Sequence, residues 1–378
     1  MVGTGSAHLK GPAGATPAQI QRLRLENQGL ARASFRNPED VVAWFGAMQA
    51  QDYLGSLWAI GLRMRSATEA RVEAAEARRA IIRSWPMRGT LHFVTPADAK
   101  WMMKLLAPRV IALNAARLKR EVDVDASVIA RCREVVARAL EGGKRLERGA
   151  IYGTLEARRI RTGNSRGLHI LLWLALEGTI CMAGRKGKQH TFALLDEWIP
   201  GSRRLERDEA LAALAHRYFT SHGPATLRDF TWWAGITAKD AEAAIDGAQR
   251  HLIRETVEGR TYWMEARRAG ARHPAPQAAS DVNVRLLPAF DEYTIAYQDR
   301  SMLVATTPKR TTTALGLLNP VVVIDSRVVG SWKRTLAKSS VRIETKLHRR
   351  LTRTEQDAMH REIERFGRFL DLDARLQN

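Results

Sequence analysis

Hydrophobic residues recur at helical spacing over most of the chain, and short alternating runs separate the helical stretches. Val41, Val42, Phe45 and Met48 predict a helix that begins after Asn37. Further helices are predicted from about residues 16, 68 and 95, and a short β element is predicted over residues 86–94. Three helices followed by a β element is the order of a winged helix. We therefore expect a first winged-helix unit over residues 15–110.

A buried helix and a hairpin indicate a second winged-helix unit over residues 111–204. The run from Leu168 to Leu176 is apolar nearly all round, so this helix should be buried. Residues 180–183 then face residues 191–194 across a glycine-rich tip, a pattern typical of a β-hairpin. The tip carries three cations, which favours DNA contact, although a solvated hairpin tip of the same composition is the alternative. These cations are Arg185, Lys186 and Lys188.

The remaining chain predicts a third winged helix and a β-rich C-terminal domain. Residues 205–270 contain an amphipathic helix, two short helices and a hairpin around Glu258-Gly259. Residues 1–14 read as a flexible N-terminus and residues 266–280 as a linker rich in Ala, Arg and Pro. Strand-like runs and a closing helix over about 354–369 predict a β-barrel-like domain over residues 281–378. The predicted class is α+β, mostly α, with three tandem winged-helix units before the β-barrel-like domain.

Composition narrows the possible partners of this chain. Its 378 residues carry a formal net charge of +20, which favours a polyanion such as nucleic acid, whereas a generally basic surface is the alternative. A hydrophobic content of 45% indicates an ordered protein with ample core. Cys132 and Cys181 are too few for a disulfide framework or a conventional zinc site. Neither a secretory signal nor a membrane-spanning run is evident, so we expect a cytoplasmic protein without a membrane partner.

Two glutamines at the end of the helix predicted after Asn37 form the first candidate site. Gln49 and Gln51 are two residues apart, so on a continued helix their side chains would point about 200° apart. To aim both carboxamides into one site, the backbone must leave the helix and run extended or as a turn. The structural alternative is that both are capping or solvated residues at a helix end.

Gln49-Ala50-Gln51 resembles the Gln-aliphatic-Gln catalytic motif of the AlkZ/YcaQ-like winged-helix DNA glycosylases, with Ala50 as a small version of the aliphatic residue. One branch of that family has Asp at the second catalytic position, where this chain has Gln51 followed by Asp52. The resemblance covers most of residues 16–350, and its motifs are specific in combination. Other similar stretches are Arg88 to His92, Gly223 to Thr226, Asp229 to Trp233, Leu287 to Tyr293 and Gly330 to Trp332.

The resemblance implies three winged helices and a β-barrel around a DNA-sized channel, and hydrolysis of N-glycosidic bonds in alkylated DNA. It implies Gln49 and Gln51 as the catalytic residues. A carboxamide has no useful basicity near pH 7, but two of them can hold a water molecule at the sugar. Such positioning suffices when the leaving group is already good, as an N7- or N3-alkylated purine is. Asp52 and His92 are accessory candidates.

Other chemistry is less well supported by the sequence. Asp291 and Glu292 are adjacent, and on a strand they would point to opposite faces, so we interpret them as structural or ion-paired. No phosphate-binding loop, dinucleotide fingerprint or metal signature is present, so neither a metal nor a cofactor is expected. The expected partner is double-stranded DNA with alkylated bases, bound by a monomer associated with the nucleoid. The alternatives are a winged-helix DNA-binding regulator without chemistry and a protein that only protects or senses bulky adducts.

Overall fold

The computed structural model describes residues 16–266, 282–304 and 316–377. The predicted flexible N-terminus and nearly all of the predicted linker lie outside these residues. The helices of the described part are α1 (Pro17–Asn27), α2 (Pro38–Phe45), α3 (Tyr53–Gly61), α4 (Glu69–Ala77), α5 (Pro96–Val122), α6 (Ala126–Leu140), α7 (Arg148–Glu156), α8 (Arg166–Leu176), α9 (Leu195–Trp198), α10 (Arg207–Ser221), α11 (Leu227–Ala234), α12 (Ala238–Ala248), α13 (Glu292–Ile295) and α14 (Arg353–Leu370). The strands are β1 (Ala47–Gln49), β2 (Ile82–Met87), β3 (Thr90–Val94), β4 (Leu146–Glu147), β5 (Ile180–Lys186), β6 (Gln189–Leu194), β7 (Leu252–Val257), β8 (Arg260–Glu265), β9 (Val284–Leu287), β10 (Val321–Ile324), β11 (Arg327–Leu336), β12 (Ser340–Leu347) and β13 (Asp373–Gln377).

Side-chain caps start several helices at the positions that the sequence predicts. Thr16 forms a capping box with Gln19, and Pro17 occupies the first turn of α1. Thr226 forms a second capping box at the start of α11. Asn37 is the residue before α2, but its side chain donates to Asp40 instead of capping the helix. The helix starts therefore follow from local sequence.

The hairpins of the first two predicted units join in one sheet. Six strands lie in the order β1-β3-β2-β5-β6-β4, and the two hairpins meet where Arg83 pairs with Met182. A separate two-stranded sheet, β7–β8, turns at Glu258-Gly259 as predicted. The mixed helix and strand content agrees with the predicted class in outline. The division into three tandem winged helices remains a prediction, because the first two hairpins share one sheet.

The C-terminal residues form a half-barrel sheet with a closing helix. Its five strands lie in the order β13-β12-β11-β10-β9, and only the β12–β13 pair is parallel. Helix α14 covers this sheet with a buried face that includes Phe366 and Phe369. The helix predicted over about 354–369 is therefore confirmed, with bounds Arg353–Leu370.

Strand β1 lies where two hydrophobic cores meet. Met48 belongs to the core shared by α2, α3, the half-barrel sheet and α14, whereas Ala47 belongs to the core around α5, α10, α11 and α12. Trp58 of α3 ties the first core to the half-barrel by donating from Nε1 to the Leu286 carbonyl at 2.8 Å. The short strand is thus fixed from both faces. Within the described residues, no helix is long and apolar enough to cross a membrane.

Candidate active site

The chain leaves helix α2 immediately before the two glutamines. Gly46 has a φ of 76°, a conformation that favours glycine and ends the helix. Residues 47–49 then pair antiparallel with β3, which places Gln49 opposite His92. This geometry agrees with the expectation that the backbone must become extended to present both carboxamides.

A side chain completes the pairing where β1 ends. Ala50 N–H donates to the Leu91 carbonyl at 2.7 Å, and in a continued antiparallel ladder Leu91 N–H would donate back to Ala50. Instead, Leu91 N–H donates to Oε1 of Gln51 at 3.0 Å. Because the Gln51 amide oxygen is used in this bond, its NH₂ group remains as a donor on an exposed side chain. No described residue hydrogen-bonds the half-buried carboxamide of Gln49, so its oxygen can accept from water.

A buried carboxylate holds the main chain of Gln49. Gln49 N–H donates to Oε1 of Glu292 at 2.8 Å, and Trp233 Nε1–H donates to Oε2 at 3.0 Å. His222 Nε2 lies 3.3 Å from the same Oε2. Burial alone would raise the pKa of Glu292, but the His222 contact, nearby His92 and the Gln49 N–H lower it to about 2. An ionised carboxylate therefore lies directly against the glutamine strand.

The neighbouring carboxylate serves a different purpose. Asp291 accepts from both Nη atoms of Arg63 at 2.9 Å, and both partners of this ion pair are fully buried. It also caps α13 by accepting from Tyr293 N–H. The two carboxylates diverge as expected, but they begin a short helix and do not lie on a strand. Sequence reasoning missed Glu292 as a site residue because its partners lie far away along the chain.

His92 lies beside Gln49 but has no exposed surface. Its Nδ1 is 2.9 Å from the Thr90 carbonyl, so Nδ1 carries the hydrogen and Nε2 can accept. Arg88 Nη2 lies 3.4 Å from that Nε2. Burial and the Arg88 charge lower the pKa of His92 to about 4, so the imidazole is neutral near pH 7. The structure therefore brings His92 to the candidate site as a neutral, enclosed side chain.

On the other side of the strand, a buried arginine holds the carbonyl between the two glutamines. Arg83 donates from Nε and Nη2 to the Ala50 carbonyl at 3.0 and 2.7 Å. Its Nη1 lies 2.9 Å from His190 Nε2, on the basic hairpin. Burial lowers the pKa of Arg83 to about 10, which still leaves it protonated near neutral pH. The sequence alone did not indicate this role for Arg83, because an arginine is not expected in a strand that is buried along its length.

Asp52, the other accessory candidate, occupies the position before α3. Its side chain makes no capping hydrogen bond, and its Oδ2 lies 4.0 Å from Nη2 of Arg334. A side chain at Gly55 would collide with it, because a Cβ there would lie 2.5 Å from Oδ2. Asp52 is thus next to the glutamines and partly exposed, and it remains a candidate.

The hairpin β5–β6 lies against the residue that follows the glutamine segment. The rings of Tyr53 and His190 are 4.9 Å apart, and the Arg185 guanidinium lies 5.0 Å from the Tyr53 ring. Arg185 also forms an ion pair with Glu73 at 3.0 Å, so its charge already has a partner within the protein. The other two predicted DNA-binding cations, Lys186 and Lys188, are exposed. The structure therefore brings the basic hairpin to the edge of the candidate site.

Comparison with known proteins agrees with this arrangement. A family model for AlkZ-like DNA glycosylases matches residues 42–369. The interstrand DNA cross-link repair glycosylase of Streptomyces sahachiroi is 27% identical over 330 residues, which cover 83% of this chain and 87% of that protein. The solved structure of the Streptomyces sahachiroi DNA glycosylase AlkZ aligns with a TM-score of 0.78 at 24% identity, covering 96% of this chain and 100% of that chain. That last similarity concerns the fold.

The family match identifies the class of protein as a DNA glycosylase. It spans most of the chain and includes both glutamines, the basic hairpin and strands β9 to β12 of the half-barrel sheet. The chain belongs to the AlkZ-like family of DNA glycosylases. The resemblance noted in the glutamine motif is therefore confirmed at the level of the family.

Proposed function

We propose that this enzyme hydrolyses the N-glycosidic bond of cationic alkylated purines in double-stranded DNA, with Gln49 and Gln51 positioning the water. The observation that carries the proposal is the hydrogen bond from Gln49 N–H to the buried, ionised Glu292. It supports a rigidly held pair of carboxamides next to a fixed negative charge, which suits a reaction in which positive charge develops on the sugar.

The two amides have different roles in this proposal. Gln49 accepts a hydrogen bond from the attacking water through its free amide oxygen. Gln51 donates through its NH₂ group, because its oxygen is bonded to Leu91 N–H. The water oxygen bonds to the anomeric carbon as the bond to the purine nitrogen breaks, and that electron pair neutralises the cationic base. The proton of the water is released to solvent, since no amide can take it.

Glu292 contributes charge and position in the same proposal. Its carboxylate is inaccessible to DNA, so it acts through the Gln49 peptide and through its field. Because Glu292 is buried, its charge is screened less than that of an anion in bulk water, and it stabilises a nearby developing oxocarbenium ion more strongly. The mechanism also requires a positively charged base as the leaving group, because the amides cannot protonate a neutral one, and this restricts the substrates. Neutral bases, which leave poorly, should be cleaved little or not at all.

The name of the Streptomyces sahachiroi relative refers to interstrand cross-link repair. We extend the proposed substrate range of this enzyme to bulky N7 or N3 adducts and cross-links, since each linked purine is cationic. The lysines of the nearby hairpin, Lys186 and Lys188, are proposed to contact the DNA backbone beside such a lesion.

The test uses duplex DNA with a single N7-methylguanine and scores abasic sites by alkaline cleavage. Wild type is compared with Gln49→Ala and Gln51→Ala at matched DNA occupancy. Gln356→Ala is the control, because this glutamine of α14 is exposed and its amide donates to the Leu351 carbonyl just before the same helix. Cleavage above the spontaneous rate, lost in the two site variants and kept in the control, is the expected result. Binding without excess cleavage, also on N3-methyladenine and a bulky N7 adduct, would leave a non-catalytic DNA-binding protein.

A further inference from the structure

The turn between β2 and β3 holds an arginine in an unusual position beside the candidate site. Arg88 and Gly89 both have positive φ, 55° and 71°, and for a residue with a Cβ this conformation is costly. The side chain passes over Gly235, where an added Cβ would lie 2.8 Å from Arg88 Cγ. Gly235 also has a positive φ, of 69°, at the end of α11. The positive φ of Arg88 and the absence of a side chain at Gly235 therefore together make room for the Arg88 side chain.

The guanidinium of Arg88 lacks partners for most of its donors. Its only hydrogen-bond contact among the described residues is the 3.4 Å approach of Nη2 to neutral His92, and its Nε is buried without a partner. Within the same residues it forms no ion pair, and the neighbouring Glu292 is already occupied by Gln49, Trp233 and His222. A largely enclosed cation with unfilled donors is costly to a fold, and the charge of nearby Glu292 offsets this cost only in part because no hydrogen bond joins the two groups. Arg88 keeps part of its surface accessible, so an external anion can reach it.

Two hydroxyls around His92 are also without partners. Thr90 Oγ1 and Ser84 Oγ are buried, and neither hydrogen-bonds any residue in the described part of the chain. Ser84 pairs directly with His92 across the sheet, and Thr90 is two residues from His92 on β3. Because side chains alternate along a strand, these residues and Gln49 share one face of the sheet. The unfilled donors therefore cluster on the face that carries the first glutamine.

We infer that Arg88 binds a DNA phosphate next to the nucleotide whose glycosidic bond is placed at Gln49. A phosphodiester supplies the negative charge and the acceptor oxygens that the guanidinium lacks. The alkylated base is excluded as the ligand because it carries the same charge as Arg88. The inference rests on the proposed function for the position of the nucleotide, while the phosphate contact itself requires only DNA binding.

The first experiment measures binding and needs no turnover. Affinity for an undamaged duplex is determined by fluorescence anisotropy between 50 and 200 mM salt for wild type, Arg88→Gln, Arg88→Lys and Arg133→Gln. Loss of one phosphate contact should lower the slope of log affinity against log salt by about 0.9 in Arg88→Gln, and Arg88→Lys should retain the slope. Arg133→Gln should match wild type, because that guanidinium is already paired with Glu177 at 2.8 Å. An unchanged slope in folded Arg88→Gln would overturn the inference.

A second measurement keeps the wild-type protein and removes the charge from the DNA. Duplexes with one tetrahydrofuran abasic analogue carry a neutral methylphosphonate at one flanking phosphate at a time. One position should weaken wild-type binding by about tenfold, and Arg88→Lys should show the same position dependence. Equal affinity at every position would refute the phosphate site. If only the proposed chemistry is wrong, both binding experiments should still give the predicted effects of Arg88 and of the phosphate, but wild type should not cleave N7-methylguanine DNA.

Discussion

The two sides of the glutamine strand are held by opposite charges. On the side of Gln49, the anion Glu292 accepts the Gln49 N–H, and it connects β1 to His222 and Trp233. On the other side, the cation Arg83 donates to the Ala50 carbonyl and faces His190 of the basic hairpin. Consecutive residues thus have one peptide N–H and one peptide carbonyl fixed by charge-assisted hydrogen bonds.

The two ionic contacts differ in what they can do for the reaction. Glu292 is ionised, and its negative charge has the sign that favours a developing sugar cation. Arg83 has the opposite sign and is accompanied by Tyr53 and Glu76, whose pKa values are both raised, chiefly by burial. We therefore assign chemistry to the Glu292 side and mechanical support to the Arg83 side. Each prediction below would break or sharpen this distinction.

The largest expected effect is on the chemical step in Glu292→Gln. Removing the charge should lower the single-turnover rate at saturating DNA by about 10²–10³-fold, as for loss of one preorganised electrostatic group. Asp291→Asn is the matched comparison, because Asp291 pairs with buried Arg63. It should cost about 3–5 kcal/mol of unfolding free energy while the folded fraction keeps its rate. Equal rate losses in both variants would end the division of roles between the two carboxylates.

Arg83→Gln should affect stability first. The Ala50 carbonyl loses both of its donors from the buried guanidinium, which should cost about 2–3 kcal/mol in urea unfolding. Arg78→Gln is the control, since Arg78 pairs with Glu39 at a half-exposed position and should cost about 0–1 kcal/mol. A stable Arg83→Gln protein with wild-type DNA cleavage would show that the strand needs no support from this side.

Acid should destabilise the protein in a pH window to which His92 contributes, together with His190 and His222, whose pKa values burial also lowers. The ordinary pKa of His92, 6.5, falls to about 4 in the folded state, so between these values the unfolded chain binds more protons. The stability contributed by neutral His92 is present above pH 6.5 and is lost as pH falls to about 4, by about 3 kcal/mol. The folded state also lowers the pKa of Glu292 from 4.5 to about 2, so the stability contributed by its ionised form is lost as pH falls through this second range. Urea midpoints of His92→Asn should depend less on pH in the first window, and an unaltered dependence would contradict the assignment.

The smallest effect on chemistry is expected at the hairpin tip. Lys186→Ala with Lys188→Ala should reduce the salt slope of DNA binding by about two and leave the rate at saturating DNA unchanged. Arg185→Ala should differ, because Arg185 pairs with Glu73 and covers Tyr53. If the double lysine variant lost catalytic rate at saturation, the hairpin would be part of the reaction site itself.

Much of the fold follows from local sequence. The helix start at Thr16, the hairpin turn at Glu258-Gly259 and the closing helix α14 all lie where the pattern places them. Local sequence could not predict that the hairpins β2–β3 and β5–β6 share one sheet. The shared sheet depends on a pairing between Arg83 and Met182, which are 99 residues apart, and no local signal specifies such a partner.

The candidate site was predictable only in part. The spacing of Gln49 and Gln51 correctly required an extended backbone, because a helix would have separated the two side chains. Glu292 and Arg83 were not recognisable, since one lies 243 residues from its partner Gln49 and the other lies within a buried strand. Buried charges look like surface charges in a sequence until the groups that neutralise them are known.

The most direct test of the account is a double-mutant cycle between Gln49 and Glu292. Single-turnover rates on N7-methylguanine duplex are measured at saturating protein for wild type, Gln49→Ala, Glu292→Gln and the double variant. If Glu292 positions Gln49 in addition to stabilising the sugar cation by its charge, the loss in the double variant should be clearly smaller than the product of the two single losses. Multiplicative losses in the double variant would show that the two residues act independently and would contradict the account.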